Sequence, residues 1–166
     1  MTKAELLALT PADFNFETHT LRINKSYQRL HREDVITPPK TLKSNRTIKI
    51  PQFLCDEMQD YLKMLYEPKE DERIFTISKS YLHHEMNRGS KISGVKRIRV
   101  HDLRHSHVSL LINMGFTVLA IADRMGHESI DITYRYAHLF PSEQTQMAEQ
   151  LDIERMEKLN GEKSGQ

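Results

Sequence analysis

Apolar residues alternate with polar ones over short runs in the first third of the chain and recur at helical spacing through the rest. Thr20–Lys25, Asp34–Thr37 and Arg46–Ile50 read as strands. The last two are joined by the polar, proline-containing connection 38–45, which suits a hairpin. Together they predict one small antiparallel sheet of about three strands. Pro51 can open a helix, and Phe53, Leu54, Met58, Tyr61, Leu62 and Leu65 give its repeat. Ser78 caps a helix running to about Asn87, followed by a basic loop from Arg88 to Arg99. Val100–Met114 is one helix, ended by Gly115. Thr117 caps the next, with Val118, Ile121, Ala122 and Met125 on one face and Gly126 closing it. A further helix carries Ile130–Tyr136, and the last runs from Ser142 to about Leu159, ahead of a polar tail, 160–166, expected to be disordered. At the other end, Glu5–Thr10 reads as the tail of an amphipathic helix whose earlier turns are missing. The fold class is mainly α with a small antiparallel β-sheet (α+β).

With 166 residues the chain can bury one core, so one domain over 1–159 is expected. There is no Trp, and aromatics make up 7%, which leaves aliphatics and eight Met to fill that core. Lone Cys55 excludes an intramolecular disulfide framework and fits a reducing compartment. No apolar run approaches the roughly 18 residues that span a bilayer, and the N-terminus lacks the pattern of a secretory signal, so a cytoplasmic protein with no membrane partner is expected. The net charge of +1 hides an uneven distribution. Arg88, Lys91, Lys96, Arg97 and Arg99 fall in a stretch with no acidic residue, whereas acids dominate after Ser142. Such a basic run is either a face for backbone phosphates or ordinary solvated surface.

The candidate chemistry lies between His101 and His138. His101, Arg104 and His105 share a helix face with Val108, Leu111 and Ile112, predicted to point inward. A buried arginine needs an anionic partner: either a core carboxylate or a bound phosphate. His127 follows the Gly126 cap, and Tyr136 lies nine residues further on. Arginine's fork of donors, a proton-capable imidazole and a phenol that can act as a nucleophile suggest attack on a phosphodiester through Tyr136. Tyr134, two positions away, points to nearly the opposite face, and spacing alone does not choose between them. A metal site at His101 and His105 is disfavoured, because Asp102 replaces the glutamate of HExxH and Arg104 would repel a cation. Leu110–Ile130 also has the outline of a helix-turn-helix, a non-catalytic DNA-binding alternative. Its second helix, beginning Val118-Leu119-Ala120-Ile121-Ala122, is too apolar to read a groove.

The run His101-Asp102-Leu103-Arg104-His105, then Met125-Gly126-His127, then Thr133-Tyr134-Arg135-Tyr136-Ala137-His138, resembles the catalytic domain of tyrosine recombinases. The likeness is to integrases of temperate phages and of integrative conjugative elements of Gram-positive bacteria, and it spans roughly residues 4–140. It selects Tyr136 as nucleophile, Arg104 and His127 as phosphate donors, His101 for proton movement and His105 as support. It places the catalytic lysine at Lys40 in Pro38–Pro51, with Lys43 the near alternative and a DNA contact. The resemblance also implies double-stranded DNA as partner, no metal or other cofactor, and a tetramer on DNA for a full-length protein, with this piece a monomer. A bacterial, nucleoid-associated location follows from it. The family's first arginine, within G-x-R-x-G-E, maps to Thr2, and Ala4 replaces the glycine; this chain is therefore expected to be truncated at its N-side and a poor catalyst. Met147, Leu151, Ile153 and Met156 would give the last helix an apolar stripe, docking either on its own core or on a neighbouring protomer.

Overall fold

The computed structural model describes residues 1–39, 41–136, 138 and 144–163. Thr2 opens the short helix α1 (Lys3–Leu6) with a reciprocal cap: its hydroxyl accepts from the Glu5 N–H, and the Glu5 carboxylate accepts from its own N–H at 2.7 Å. Strands β1 (Phe14–Asn15), β2 (Thr20–Ile23), β3 (Ser26–Leu30), β4 (Glu33–Thr37) and β5 (Arg46–Lys49) follow. They form two antiparallel sheets rather than the single one expected. One has the order β1-β2-β5, with Leu21 opposite Ile48 and Ile23 opposite Arg46; the other is the hairpin β3-β4. Asp34–Thr37 thus pairs with β3, which the sequence did not reveal, and not with Arg46–Lys49. Its two-residue turn, His31-Arg32, has φ of 50° and 70° without a glycine, so the usual hairpin signal is missing.

Helix α2 (Gln52–Met64) begins behind Pro51 and packs Leu54, Met58, Tyr61 and Leu62 on a core of Leu9, Leu21, Ile23, Ile50, Cys55 and Ile74. Phe53 turns outward instead. Helix α3 (Lys79–Ser93), capped by Ser78, runs past the expected end near Asn87 until Gly94, at φ +69°, stops it. Arg88 and Lys91 therefore sit on a helix, not in a loop. Helices α4 (Asp102–Asn113) and α5 (Val118–Met125) are joined through Gly115 and capped by Thr117, close to expectation. Their core is Val108, Ile112, Ile121 and Met125, with Leu111 and Tyr136 packed against it. A short α6 (Asp131–Tyr134) ends two residues before Tyr136.

Helix α7 (Gln144–Lys163) continues into the segment expected to be a disordered tail, whose residues 164–166 lie outside the described ones. The Asn160-Gly161 pair does not stop it. Its apolar residues make no single stripe: Met147 and Leu151 share one side, while Ile153 and Met156 fall well round the helix. All four are 49–67% exposed, so α7 does not bury them on its own core. The methionines do not fill the interior as expected either. Met125 is buried, but Met64, Met114, Met147 and Met156 are largely exposed, and branched aliphatics supply most of the packing. No helix is long and apolar enough to cross a membrane among the described residues.

Candidate active site

Helices α4 and α5 set the site. Their shared core begins on α4 only at Val108, about one turn past Arg104, which itself reaches the end of α5. His101 and His105 are therefore exposed rather than inward-facing, Arg104 is half-buried, and only Val108 and Ile112 below them are fully buried. Arg104 donates from Nη2 to the Met125 carbonyl at 2.7 Å, and no carboxylate lies within ion-pair distance of it among the described residues. The core ion pair weighed for Arg104 is thus replaced by a helix-end carbonyl, an orphan acceptor of α5. The rest of its donor fork is open to an anion.

Gly126, at φ +67°, ends α5, and the His127 N–H closes the turn on the Ala122 carbonyl at 3.0 Å. The His127 ring is buried, its Nδ1 2.7 Å from the hydroxyl of fully buried Thr133. Burial first, then the charges of Arg104, the Met1 α-amino group and Arg46, lower its pKa to about 4. That amino group reports the same positive field: burial, Arg104 and Arg46 bring its pKa down to about 5. At neutral pH His127 is an uncharged imidazole beside fixed cations.

Tyr136 leaves α6 pointing back to α4, where its ring packs on the α4–α5 core and its hydroxyl hydrogen-bonds to His105 Nδ1. The His101 ring stands edge-on to His105, centroids 5.0 Å apart, and its pKa is lowered by burial and by His105 and Arg104. The ring that meets the phenol is therefore His105, with His101 behind it. Tyr134 is 53% exposed on the other side, the divergence that the two-residue offset predicts. Lys40 lies outside the described residues. Lys43 is exposed on the turn Leu42–Ser44 and lines, with Asn45, Arg46, Arg124, Gly126 and His127, a cleft of about 440 Å³.

The basic run is partly neutralised by its flanks. Arg88 pairs with Glu85 at 2.6 Å and Arg99 with Asp102 at 2.8 Å, and Arg97 hydrogen-bonds to Asn87. The hydrogen bonds from Arg99 hold the Asp102 carboxyl at about 2. Lys91 and Lys96 are exposed, with no carboxylate at ion-pair distance among the described residues.

Sequence reasoning missed Arg46 as a site residue. It sits at an inward position of an alternating strand, where an aliphatic is expected, and that misfit was the available signal. Glu5 was noted only as an alignment landmark and Thr133 only as part of a motif; both prove to be polar groups buried at the site.

Solved structures share this architecture. The Tn1549 transposon integrase, in complex with circular intermediate DNA, matches with a TM-score of 0.69 at 19% identity over 94% of this chain and 56% of that one. XerA recombinase matches with a TM-score of 0.63 at 18% identity over 88% of this chain and 51% of that one. The fold is that of a tyrosine recombinase catalytic domain. In sequence, the ICEBs1 integrase of Bacillus subtilis is 32% identical over 162 residues, 89% of this chain and 44% of that protein. The phage integrase family model matches residues 1–143, and the chain belongs to that family. It spans less than half the length of curated relatives such as the Bacillus protein, 44% in that case.

Proposed function

We propose that this chain is the catalytic domain of an enzyme of site-specific DNA recombination, integrating or excising a mobile element by breaking and rejoining strands. The observation that carries the reading is the Tyr136 hydroxyl on His105, near enough to Arg104 for the two to interact electrostatically, with Arg104 in turn acting on His127. Tyr136 attacks a phosphorus of double-stranded DNA: the Tyr136 O–P bond forms, the bond to the 5′-oxygen breaks, and a 3′-phosphotyrosine remains. His105, in contact with the phenol, takes its proton, and His101 behind it assists that proton movement. Arg104 donates charge-assisted hydrogen bonds to the non-bridging oxygens as charge builds there. In the tautomer in which the Thr133 hydroxyl donates to His127 Nδ1, Nε2 carries the hydrogen and donates to the same phosphate. Lys40 protonates the leaving 5′-oxygen, with Lys43 the near alternative. These protein cations do the work for which other phosphoryl-transfer enzymes recruit metal ions. Energy kept in the phosphotyrosine lets a second 5′-hydroxyl reverse the step, so strands exchange without ATP.

Lys91, Lys96, Arg88, Arg97 and Arg99 supply backbone contacts, the two lysines most effectively because no carboxylate competes for them. On DNA the full-length protein works as a tetramer, and this chain alone is a monomer. Because Thr2 stands where the family has its first arginine, one transition-state clamp is absent, which commonly costs on the order of a hundred- to a thousand-fold in rate. A DNA duplex nicked beside the cleavage site, which traps the covalent product, tests the reading on a denaturing gel. The expected outcome is slow accumulation of adduct with this chain and none with Tyr136→Phe. Adduct from the Phe variant, or DNA binding by both with no adduct from either, overturns the enzymatic assignment in favour of a binding module.

A further inference from the structure

Two arginines from different parts of the fold grip the end of α5. Arg104, from α4, donates to the Met125 carbonyl at 2.7 Å; Arg46, from β5, donates through Nε to the preceding carbonyl, Arg124, at 3.2 Å. These are acceptors that the helix leaves orphaned, at its negative end. Arg46 is itself fixed. Its Nη1 meets the Ser44 carbonyl at 2.9 Å, and its Nη1 and Nη2 reach both oxygens of Glu5 at 3.3 Å. Both side chains are about nine-tenths buried. Burial works against ionising Glu5, yet the Arg46 and Thr2 hydrogen bonds and the Arg46 charge hold its carboxyl below the usual range.

The packing at Gly126 shows how closely this clamp is fitted. A Cβ there would lie 2.9 Å from both Cδ and Nη1 of Arg46. Gly126 is thus required twice, once for its positive φ and once for the guanidinium lying against it. His127 is the next residue. We propose that Arg46 is a positioning residue: by holding the Arg124 carbonyl and lying against Gly126, it sets the direction in which the chain leaves α5, and with it the place of the His127 imidazole relative to Arg104. This goes beyond the recombinase reading and rests on it only for the catalytic consequence.

The test uses Arg46→Lys, which replaces the planar fork by a point charge that cannot reach Glu5 and both carbonyls from one place, and Arg46→Met/Glu5→Gln, which removes the pair without stranding a buried charge. The first readout is amide hydrogen exchange at Gly126 and His127. It is expected to speed up by about tenfold or more in both variants, while the amides of Leu111 and Ile112 in α4 stay protected. The second is the NMR titration of the His127 ring, which faces Arg104 from α4, Arg46 from β5, Thr133 from α6 and the Met1 amine. Loss of the Arg46 charge alone would raise its pKa in the double variant, so the diagnostic is Arg46→Lys, which keeps a charge there: a ring that has left its buried place titrates above about 4 in that variant too. The third is adduct formation at saturating nicked DNA, expected to fall by about a hundredfold with DNA affinity little changed. Exchange in both variants and titration in Arg46→Lys at wild-type values would overturn the proposal and leave Arg46 a staple between α1 and β5. If Arg46→Lys does not fold, the double variant decides by exchange alone. Should wild-type chain form no adduct, the recombinase reading fails while exchange and titration still judge Arg46.

Discussion

His127 couples the site to folding through its proton. In the unfolded chain an imidazole titrates near 6.5, whereas in the fold its pKa is about 4. As pH falls below 6.5 the unfolded chain binds a proton that the folded chain refuses. His127 therefore contributes its full stability above about 6.5, loses it on the way to about 4, and is level beneath that. Burial-lowered His101 and His107 act in the same sense, and the α-amino group does so from 8.0 down to about 5. Urea unfolding between pH 7 and 4 should show stability falling with acid, more shallowly in His127→Asn; an unchanged slope would mean that the ring is protonated in the fold. The residue scale also shows what motif reading can reach. Motif and resemblance together singled out His101, Arg104, His105, His127 and Tyr136, the last only by resemblance, since spacing left Tyr134 and Tyr136 open. Arg46 was not singled out: its partners Glu5 and Arg124 lie 41 and 78 residues away, and an arginine at an inward strand position signals a buried partner without saying which.

Among elements, the helices with clear caps were read almost to the residue: α4, and α5 with Thr117 and Gly126. The sheet was not. Pairing is decided by which backbones meet in space, and β3, with Tyr27 buried and Arg29 and Leu30 exposed, has too little alternation to separate it from a loop. Its hairpin turn places His31 and Arg32 in the left-handed region, where Cβ atoms are crowded. Substituting His31→Asn together with Arg32→Gly should stabilise the protein by roughly 1–2 kcal/mol, seen as a higher urea midpoint at constant slope. No change in midpoint would show that the loop gives up its strain elsewhere. The hairpin is held to the body by Arg73, which stacks 4.1 Å from the Tyr27 ring centre and pairs with Asp34 at 2.6 Å, while Tyr27 donates to the same carboxylate.

At the scale of the whole molecule, the sheets and α2 form one packed body and the α4–α5 pair another, with the site where Arg46 of β5 reaches the end of α5. Helix α7 adds to neither core: its Met147, Leu151, Ile153 and Met156 stay exposed. Light scattering should find a monomer in the absence of DNA, with or without residues 144–163. On DNA, the full chain should assemble and the shortened one should bind without assembling; equal assembly by both would relieve α7 of any such part. The seating of Tyr136 against its own chain's α4 has a further consequence. Each copy carries its hydroxyl and its guanidinium as one fixed unit, with no side chain to lend across a boundary. Mixing a Tyr136→Phe protein with an Arg104→Ala protein should accordingly restore nothing, because neither crippled copy holds a complete set by itself.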